Sequence, residues 1–136
     1  MPQFIPFKAL IPSKNPEKVS APPYDVLSFE ECMNIAKENP NSFVRISRAE
    51  VDFPEGAGIY SDKIYEKALE NFQKLKDSVP YAQDNTPNFF IYKLKMGEHV
   101  QFGIAALASV KDYENNKIKK HEKTRKDKED DRTRHI

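Results

Sequence analysis

The sequence predicts a mixed α/β fold, in which a short mixed sheet with one hairpin carries two main helices on one face. Apolar residues recur at three- and four-residue steps over 28–39 and over 60–79, which predicts the two helices. Two alternating segments, 89–96 and 99–110, are separated only by a short turn with a glycine, which predicts the hairpin.

The remaining elements follow in chain order. Repeated prolines near the start remove backbone donors, so only short extended pieces such as 4–10 are expected there. Ser28, with Glu31 three residues later, forms a capping box that begins the first helix, and Pro40 ends it. The β-branched, alternating segment 42–46 predicts a strand.

Beyond these elements, the glycine- and proline-containing segment 51–58 predicts a loop. His99 lies beside the hairpin turn and is expected to be exposed. The hairpin aromatics, in contrast, are expected to pack in the core. Those aromatics are Phe89, Phe90, Tyr92 and Phe102.

The chain has 136 residues, 38% of them hydrophobic, which suits one domain with a core. Periodic apolar residues stop after Tyr113. We therefore predict a compact α/β domain over 1–113, followed by a charged segment over 114–136 that leads into a missing C-terminal region. The single cysteine, Cys32, lies on the apolar face of a helix and is expected in the core.

Charge and hydropathy exclude several classes of protein. Charged residues make up 32% of the chain but cancel to a net charge of +1, which gives no global field for nucleic acid or an anionic membrane. No apolar run approaches the roughly 20 residues of a membrane span. The absence of a disulfide framework is typical of a cytoplasmic protein. Three scattered histidines and one cysteine predict no structural zinc site.

A first candidate site precedes the first helix. Pro22 and Pro23 pre-set an extended backbone that delivers Tyr24 and Asp25 just ahead of Ser28. A helix N-terminus presents free N–H groups that attract phosphate or carboxylate. The alternative is a rigid turn whose tyrosine packs and whose aspartate bonds the turn. The predicted pocket wall is Pro23, Tyr24 and Asp25.

The second candidate site is the charged segment from 119 onward, which combines basic, acidic and histidine side chains, His135 among them. Lysine and arginine clamp phosphate, carboxylates hold Mg²⁺ or act as bases, and histidine transfers protons. The alternative is a solvated or disordered charge run. The phosphate-binding candidates are Lys119, Lys123, Arg125, Lys128 and Arg132. The catalytic candidates are His121, Glu122, Glu129, Asp130 and Asp131.

Several of these motifs together resemble the N-terminal part of the bacterial family called domain of unknown function 1015. Ala49 and Gly58-Ile59 depart from its usual pattern, both in a loop. The motifs that carry the resemblance run in order along the chain: Ala-Pro-Pro-Tyr-Asp-Val over 21–26, Asn-Pro at 39–40, Ser-Phe at 42–43, Asp-Phe-Pro-Glu-Gly over 52–56, Lys-Lys-His-Glu-Lys-Thr-Arg over 119–125 and Lys-Glu-Asp-Asp-Arg over 128–132.

The resemblance implies no assigned activity, because the family has none. Its members are longer, and a downstream Asp-Gly-His-His-Arg segment is absent here, so the missing C-terminal region is an expected partner. That downstream segment is similar to the Gly-x-x-Arg signature of the ParB and sulfiredoxin-like superfamily, some of whose members hydrolyse nucleotides or phosphorylate free serine.

The resemblance therefore implies a protein that binds a phosphorylated ligand or nucleotide, with Mg²⁺ as its companion, and acts as a small-molecule kinase on a free amino acid. The rival interpretation is a non-enzymatic regulatory or nucleic-acid-associated module that docks a partner or a second copy, with the fragment inactive alone. The site hypothesis requires residues 24–25 to lie beside 121–132.

Overall fold

The computed structural model describes residues 1–53, 58, 60–120 and 122–136 of the chain. It confirms the mixed α/β class, with helices and short antiparallel sheets. The strands of the described residues pair only two by two, so these pairs stand in place of the short mixed sheet that the sequence predicts. The residues group into two units, which are Met1–Leu10 with Gln83–Lys123 and Ile11–Ala82 with Thr124–Ile136. The domain boundary at 113 stays a prediction.

Unit 1 contains the hairpin. Strands β4 (Phe90–Met96) and β5 (His99–Ala105) pair antiparallel, with Phe90 opposite Ala105 and Met96 opposite His99, which confirms the hairpin. Gly97 forms the turn at φ +58°, a conformation that glycine adopts without strain. The elements of unit 1 are β1 (Phe4–Ile5), β4 (Phe90–Met96), β5 (His99–Ala105), β6 (Leu107–Ala108) and α5 (Val110–Glu114). Strand β1 pairs antiparallel with β6.

The prediction that the hairpin aromatics are core residues is wrong for most of them. Phe102 is 65% exposed, and Phe89 and Tyr92 are also exposed. Phe90 is half-buried, and its ring centroid lies 5.0 Å from that of Phe7. A two-stranded ribbon has too little surface to bury side chains on both of its faces. His99 is exposed, as expected.

Unit 2 holds the longer helices. Its elements are α1 (Pro16–Val19), α2 (Phe29–Glu38), α3 (Val44–Ser47), a 3₁₀ turn (Ala49–Asp52), α4 (Asp62–Ser78) and α6 (Lys126–His135). Strands β2 (Leu10–Pro12) and β3 (Tyr81–Gln83) pair with each other, and most residues of both strands belong to unit 2. Both predicted helices are confirmed, as α2 and α4.

The capping box of α2 is also confirmed. The hydroxyl of Ser28 accepts from the backbone N–H of Glu31 at 3.2 Å, and the N–H of Ser28 donates to the Glu31 carboxylate at 2.8 Å. These bonds hold the pKa of Glu31 below its usual value. The sequence therefore fixes the start of α2 through contacts between near neighbours.

The strand predicted over 42–46 is wrong. Residues Val44–Ser47 are helical, and the hydroxyl of Ser42 accepts from the N–H of Val44 at 3.3 Å. The Val44 side chain is fully buried against α2, so packing between helices outweighs its preference for a strand. The loop predicted over 51–58 begins later than expected, because Val51 and Asp52 belong to the 3₁₀ turn. Its residues 54–57 lie outside the described part of the chain.

The core of unit 2 lies between helices. One cluster joins Cys32 and Ala36 of α2 to Val44 and Val51, and a second joins Ile64 and Ala68 of α4 to the 3₁₀ turn. Cys32 is buried as expected, and burial raises the pKa of its thiol. Among the described residues, no helix combines the length and the apolar character that crossing a membrane requires.

Candidate anion-binding site

Helix α6 turns a polar face toward the rest of unit 2. Lys128, Asp131, Arg132 and His135 are less exposed than their neighbours on the helix. Their spacing of three, four and seven residues places them on one side of an α-helix. Hydrophobic periodicity could not find this face, because the residues that point inward are charged. In the sequence, the only sign of this face is the helical spacing of the polar residues at 128, 131, 132 and 135.

Asp131 attaches this face to α4. Its side chain is 7% exposed and accepts a bond from the Tyr65 hydroxyl at 2.9 Å and one from Nε of Arg132 at 3.0 Å. Burial alone would raise the pKa of Asp131. The bonds from Arg132 and Tyr65 together outweigh this effect, so the pKa of Asp131 lies below its usual value. Asp131 is therefore a buried, ionised carboxylate at neutral pH.

His135 lies one turn further along the same face. Its ring packs edge-on against Tyr65 with a centroid distance of 5.0 Å, and its Nε2 lies 3.9 Å from Oδ1 of Asp131. Burial and the nearby Arg132 lower the pKa of His135, and Asp131 and Glu50 oppose this only in part. The imidazole is therefore neutral at pH 7 and can accept a proton.

The opposite wall is the turn that contains Tyr24 and Asp25. Nη1 of Arg48 donates to the backbone carbonyls of Tyr24 and Leu27, each at 2.9 Å. The same guanidinium pairs through Nε with the buried carboxylate of Glu50. Arg48 thereby ties the turn to the 3₁₀ turn. The sequence did not predict a role for Arg48 or Glu50. Arg48 bonds carbonyls that lie more than twenty residues away, and Glu50 becomes buried only in the folded chain.

The two walls meet at Tyr24. The guanidinium carbon of Arg132 lies 3.9 Å from the centroid of the Tyr24 ring, and Nζ of Lys128 lies 5.9 Å from it. These cation–π contacts close a cleft of about 470 Å³. Its lining residues are Tyr24, Asp25, Leu27, Ser47, Arg48, Glu50, Tyr60, Arg125, Lys128, Asp131, Arg132 and His135.

Only some of the predicted site residues line this cleft. Glu129 and Asp130 are exposed and bond other residues, Thr124 and Lys126 respectively. Pro23 is exposed and lies outside the lining. His121 falls outside the described residues. Unit 1 contains Lys119, Glu122 and Lys123. The predicted residues that do line the cleft are Tyr24, Asp25, Arg125, Lys128, Asp131 and Arg132.

The cleft lining carries a small excess of positive charge, because it holds four cations, Arg48, Arg125, Lys128 and Arg132, against the three carboxylates of Asp25, Glu50 and Asp131. Of its buried carboxylates, Glu50 is matched by Arg48 and Asp131 by Arg132. Lys128 and the more exposed Arg125 add two further cations at the mouth, where Arg125 also pairs with Asp127. Within the described part of the chain, no three or more His, Cys, Asp or Glu side chains converge in a way that could hold a metal ion. The arrangement therefore suits an anion better than a bare cation.

A family comparison matches residues 4–136 to the family described as "Protein of unknown function (DUF1015)". The chain belongs to the DUF1015 family. The resemblance drawn from its motifs is thereby confirmed over nearly the whole DUF1015 chain. Searches of curated proteins and of solved structures find no significant match to it.

The stability of this DUF1015 chain is expected to fall as pH drops below about 6.5, the usual pKa of histidine. The folded protein lowers the pKa of His135, so the unfolded chain binds its proton first and gains population as the pH falls. The lowered pKa of Asp131 adds a second loss, which begins below about pH 4. Urea unfolding measured between pH 7.5 and 3.5 checks both steps.

The variant His135→Asn separates the two steps of this pH dependence. It should flatten the stability curve between pH 7 and 5 and leave the loss below pH 4 in place. His99→Asn, at an exposed position in unit 1, serves as the matched control. A curve for His135→Asn that keeps the slope of the unmodified protein between pH 7 and 5 would contradict the prediction.

Proposed function

We propose that the cleft between Tyr24 and α6 binds a phosphorylated small molecule, with a nucleotide as the leading candidate. The observation that carries the proposal is the stacking of Arg132 on Tyr24, with Lys128 and Arg125 at the same mouth. Arginine binds phosphate through paired N–H donors, and lysine adds a mobile point charge. A cleft with this charge attracts phosphate oxygens.

Preorganisation of the cations supports the proposal. Asp131 and the Tyr24 ring hold the Arg132 guanidinium in place before any ligand arrives. A ligand that meets donors already in position loses less free energy in ordering them. The aromatic face of Tyr24 also lies among the cations that would hold the phosphates.

The finer proposal concerns the reaction of the protein. As a small-molecule kinase, it would transfer the terminal phosphoryl group of a nucleoside triphosphate to the hydroxyl of a free amino acid. A P–O bond to the hydroxyl oxygen forms, the bond to the leaving diphosphate breaks, and a base takes the hydroxyl proton. Neutral His135 and the exposed carboxylate of Asp25 are the candidate bases in the cleft.

Magnesium would then arrive with the phosphates. Mg²⁺ is usually held by one or two carboxylates together with phosphate oxygens and water, without a dedicated protein cage. Asp25 is exposed at the cleft wall and could supply one such carboxylate. This role replaces the predicted one of Glu129 and Asp130, whose side chains bond elsewhere on the surface.

Calorimetric titration with ATP and Mg²⁺ tests the binding proposal. Lys128→Ala should weaken affinity about tenfold, because a charge-assisted contact to phosphate contributes about 1.4 kcal/mol. Lys126→Ala is the matched control, since it removes the same charge from the exposed side of the same helix. The control should change affinity less than about twofold.

The proposal fails if ATP does not bind, or if Lys126→Ala weakens binding as much as Lys128→Ala. If ATP binds but no phosphate is transferred to free amino acids, the proposal of a phosphorylated ligand stands and the proposal of a kinase is rejected. That outcome favours a regulatory module. The titration and the transfer assay both use the present chain.

A further inference from the structure

A second cleft in unit 2 has no role in the proposed function. It has a volume of about 430 Å³ and lies between α3 and α4. The segment from Ser42 to Asp52 contributes to both clefts, but with different residues on each side. The lining residues of this second cleft are Pro40, Asn41, Ser42, Arg45, Ile46, Asp52, Lys67, Asn71, Lys74, Leu75 and Ser78.

The floor of the second cleft is a buried polar network. Nδ2 of Asn71 donates to the backbone carbonyl of Arg45 at 2.8 Å and to the carboxylate of Asp52 at 2.7 Å, and Arg45 pairs with Asp52. Nε of Arg45 is buried and has no hydrogen-bond partner among the described residues. A buried donor without a partner costs about 1–3 kcal/mol, so such a group in a folded protein calls for an explanation.

The rim of the second cleft is basic and is held by an internal carboxylate. Both lysines of the lining, Lys67 and Lys74, bind the same side chain, Glu70. Lys74 and Lys67 in turn lower the pKa of Glu70. Glu70 does not line the cleft, so it draws both ammonium groups toward its own side of the rim. An anion in the cleft would compete with Glu70 for them.

A smaller cavity of about 150 Å³ extends the basic surface. It shares Asn41 and Ser78 with the second cleft and adds Lys14 and Lys18. Five cations therefore line the two cavities, with one lining carboxylate, Asp52, which is already paired. Charge of one sign along a continuous concave surface concentrates ligands of the opposite sign.

We propose that this second cleft binds a small polyanion that carries two or more phosphate or carboxylate groups. Lys67, Lys74 and the lysines of the adjoining cavity contact its charged oxygens, and the floor around Arg45 and Asn71 positions one of them. Glu70 acts as an internal competitor that the ligand displaces. The site is independent of the cleft at Tyr24, since the two have no lining residue in common.

The test is an NMR titration of the present chain with pyrophosphate and, separately, with citrate. The side-chain amide of Asn71 and the backbone amides of 40–46 report on the second cleft, because they lie in or beside its lining. We expect saturable shifts at these positions. Lys74→Met should weaken binding about five- to tenfold, and Glu70→Gln should strengthen it by releasing both lysines.

Lys76→Met is the matched control, because Lys76 lies on the same helix with its ammonium 5.0 Å from the Phe72 ring and outside the lining. Saturation by pyrophosphate alone assigns a phosphate ligand, and saturation by citrate alone assigns a carboxylate ligand. Saturation by both supports the shared chemistry. No saturable shift at Asn71, or equal weakening by Lys76→Met and Lys74→Met, overturns the proposal.

The two proposals can fail separately. Lys128→Ala removes a cation from the cleft at Tyr24 only, so it should leave the Asn71 shifts and their midpoint unchanged. Lys74→Met should likewise leave ATP affinity unchanged. Loss of the Asn71 shifts in Lys128→Ala would reject the independence of the second cleft.

Discussion

Asp131→Asn is expected to destabilise unit 2 by about 2 kcal/mol, because it leaves Arg132 without its buried counter-charge. The substitution conserves shape and can still accept the Tyr65 hydroxyl, so the loss reports on charge rather than on a cavity. Breaking one side of a fully buried pair costs about 3–5 kcal/mol, and the partial exposure of Arg132 reduces this. The midpoint and slope of urea unfolding, followed by circular dichroism, give the value.

The neighbouring residue provides the control for this experiment. Asp130 is 61% exposed and pairs with Lys126 one turn away, a contact worth about 0.5 kcal/mol or less. Asp130→Asn removes the same charge from the adjacent position of α6. If both variants unfold at the same urea concentration, Asp131 does not anchor the helix.

Arg48→Met is expected to cost about 3 kcal/mol. It leaves the carboxylate of Glu50, which is 8% exposed, without its partner and removes the donors to the carbonyls of Tyr24 and Leu27. Methionine retains much of the aliphatic volume, so the loss is mainly polar. Urea unfolding measures the stability. The same variant should also bind ATP more weakly, because the turn at Tyr24 loses its hydrogen bonds from Arg48.

A double-mutant cycle separates the contributions at Arg48. Glu50→Gln in the Arg48→Met background should recover part of the loss, since it removes the unpaired buried charge. Arg125→Met, at a largely exposed position in the same cleft, is the control and should leave stability nearly unchanged. Additive effects of Arg48→Met and Glu50→Gln would show that the two side chains do not stabilise the fold as a pair.

Elements whose determinants are close in sequence could be predicted. The Ser28–Glu31 capping box and the apolar periodicity of α4 act over one or a few turns, and the hairpin depends on one glycine turn. Segment 42–46 could not be predicted in this way. Its alternation favours a strand, and only burial of Val44 against α2 selects the helix.

The candidate site divides in a similar way. The Tyr24–Asp25 turn and the cations of 125–132 stand out by residue type, so the sequence could identify them as a potential site. The sequence could not identify the partners Arg48, Glu50 and Tyr65. Arg48 and Tyr65 bond residues that only folding brings near, and Glu50 becomes buried only in the folded chain. Glu129 and Asp130 belong to the same motif as Asp131. Consecutive residues of a helix point in different directions, so Asp131 faces inward while the other two face solvent.

The polar face of α6 also bears on the order in which unit 2 assembles. A segment of ten residues with this composition does not hold a helix alone in water, and α6 has no apolar stripe to supply the difference. Its helical turns therefore depend on contacts with Tyr65 and Tyr24 that exist only after α4 and the α2 region are in place. We therefore expect α6 to open by local unfolding before the helices whose apolar faces are buried in the core of unit 2. In that case a ligand that fills the cleft should increase the fraction of molecules in which α6 is packed against unit 2.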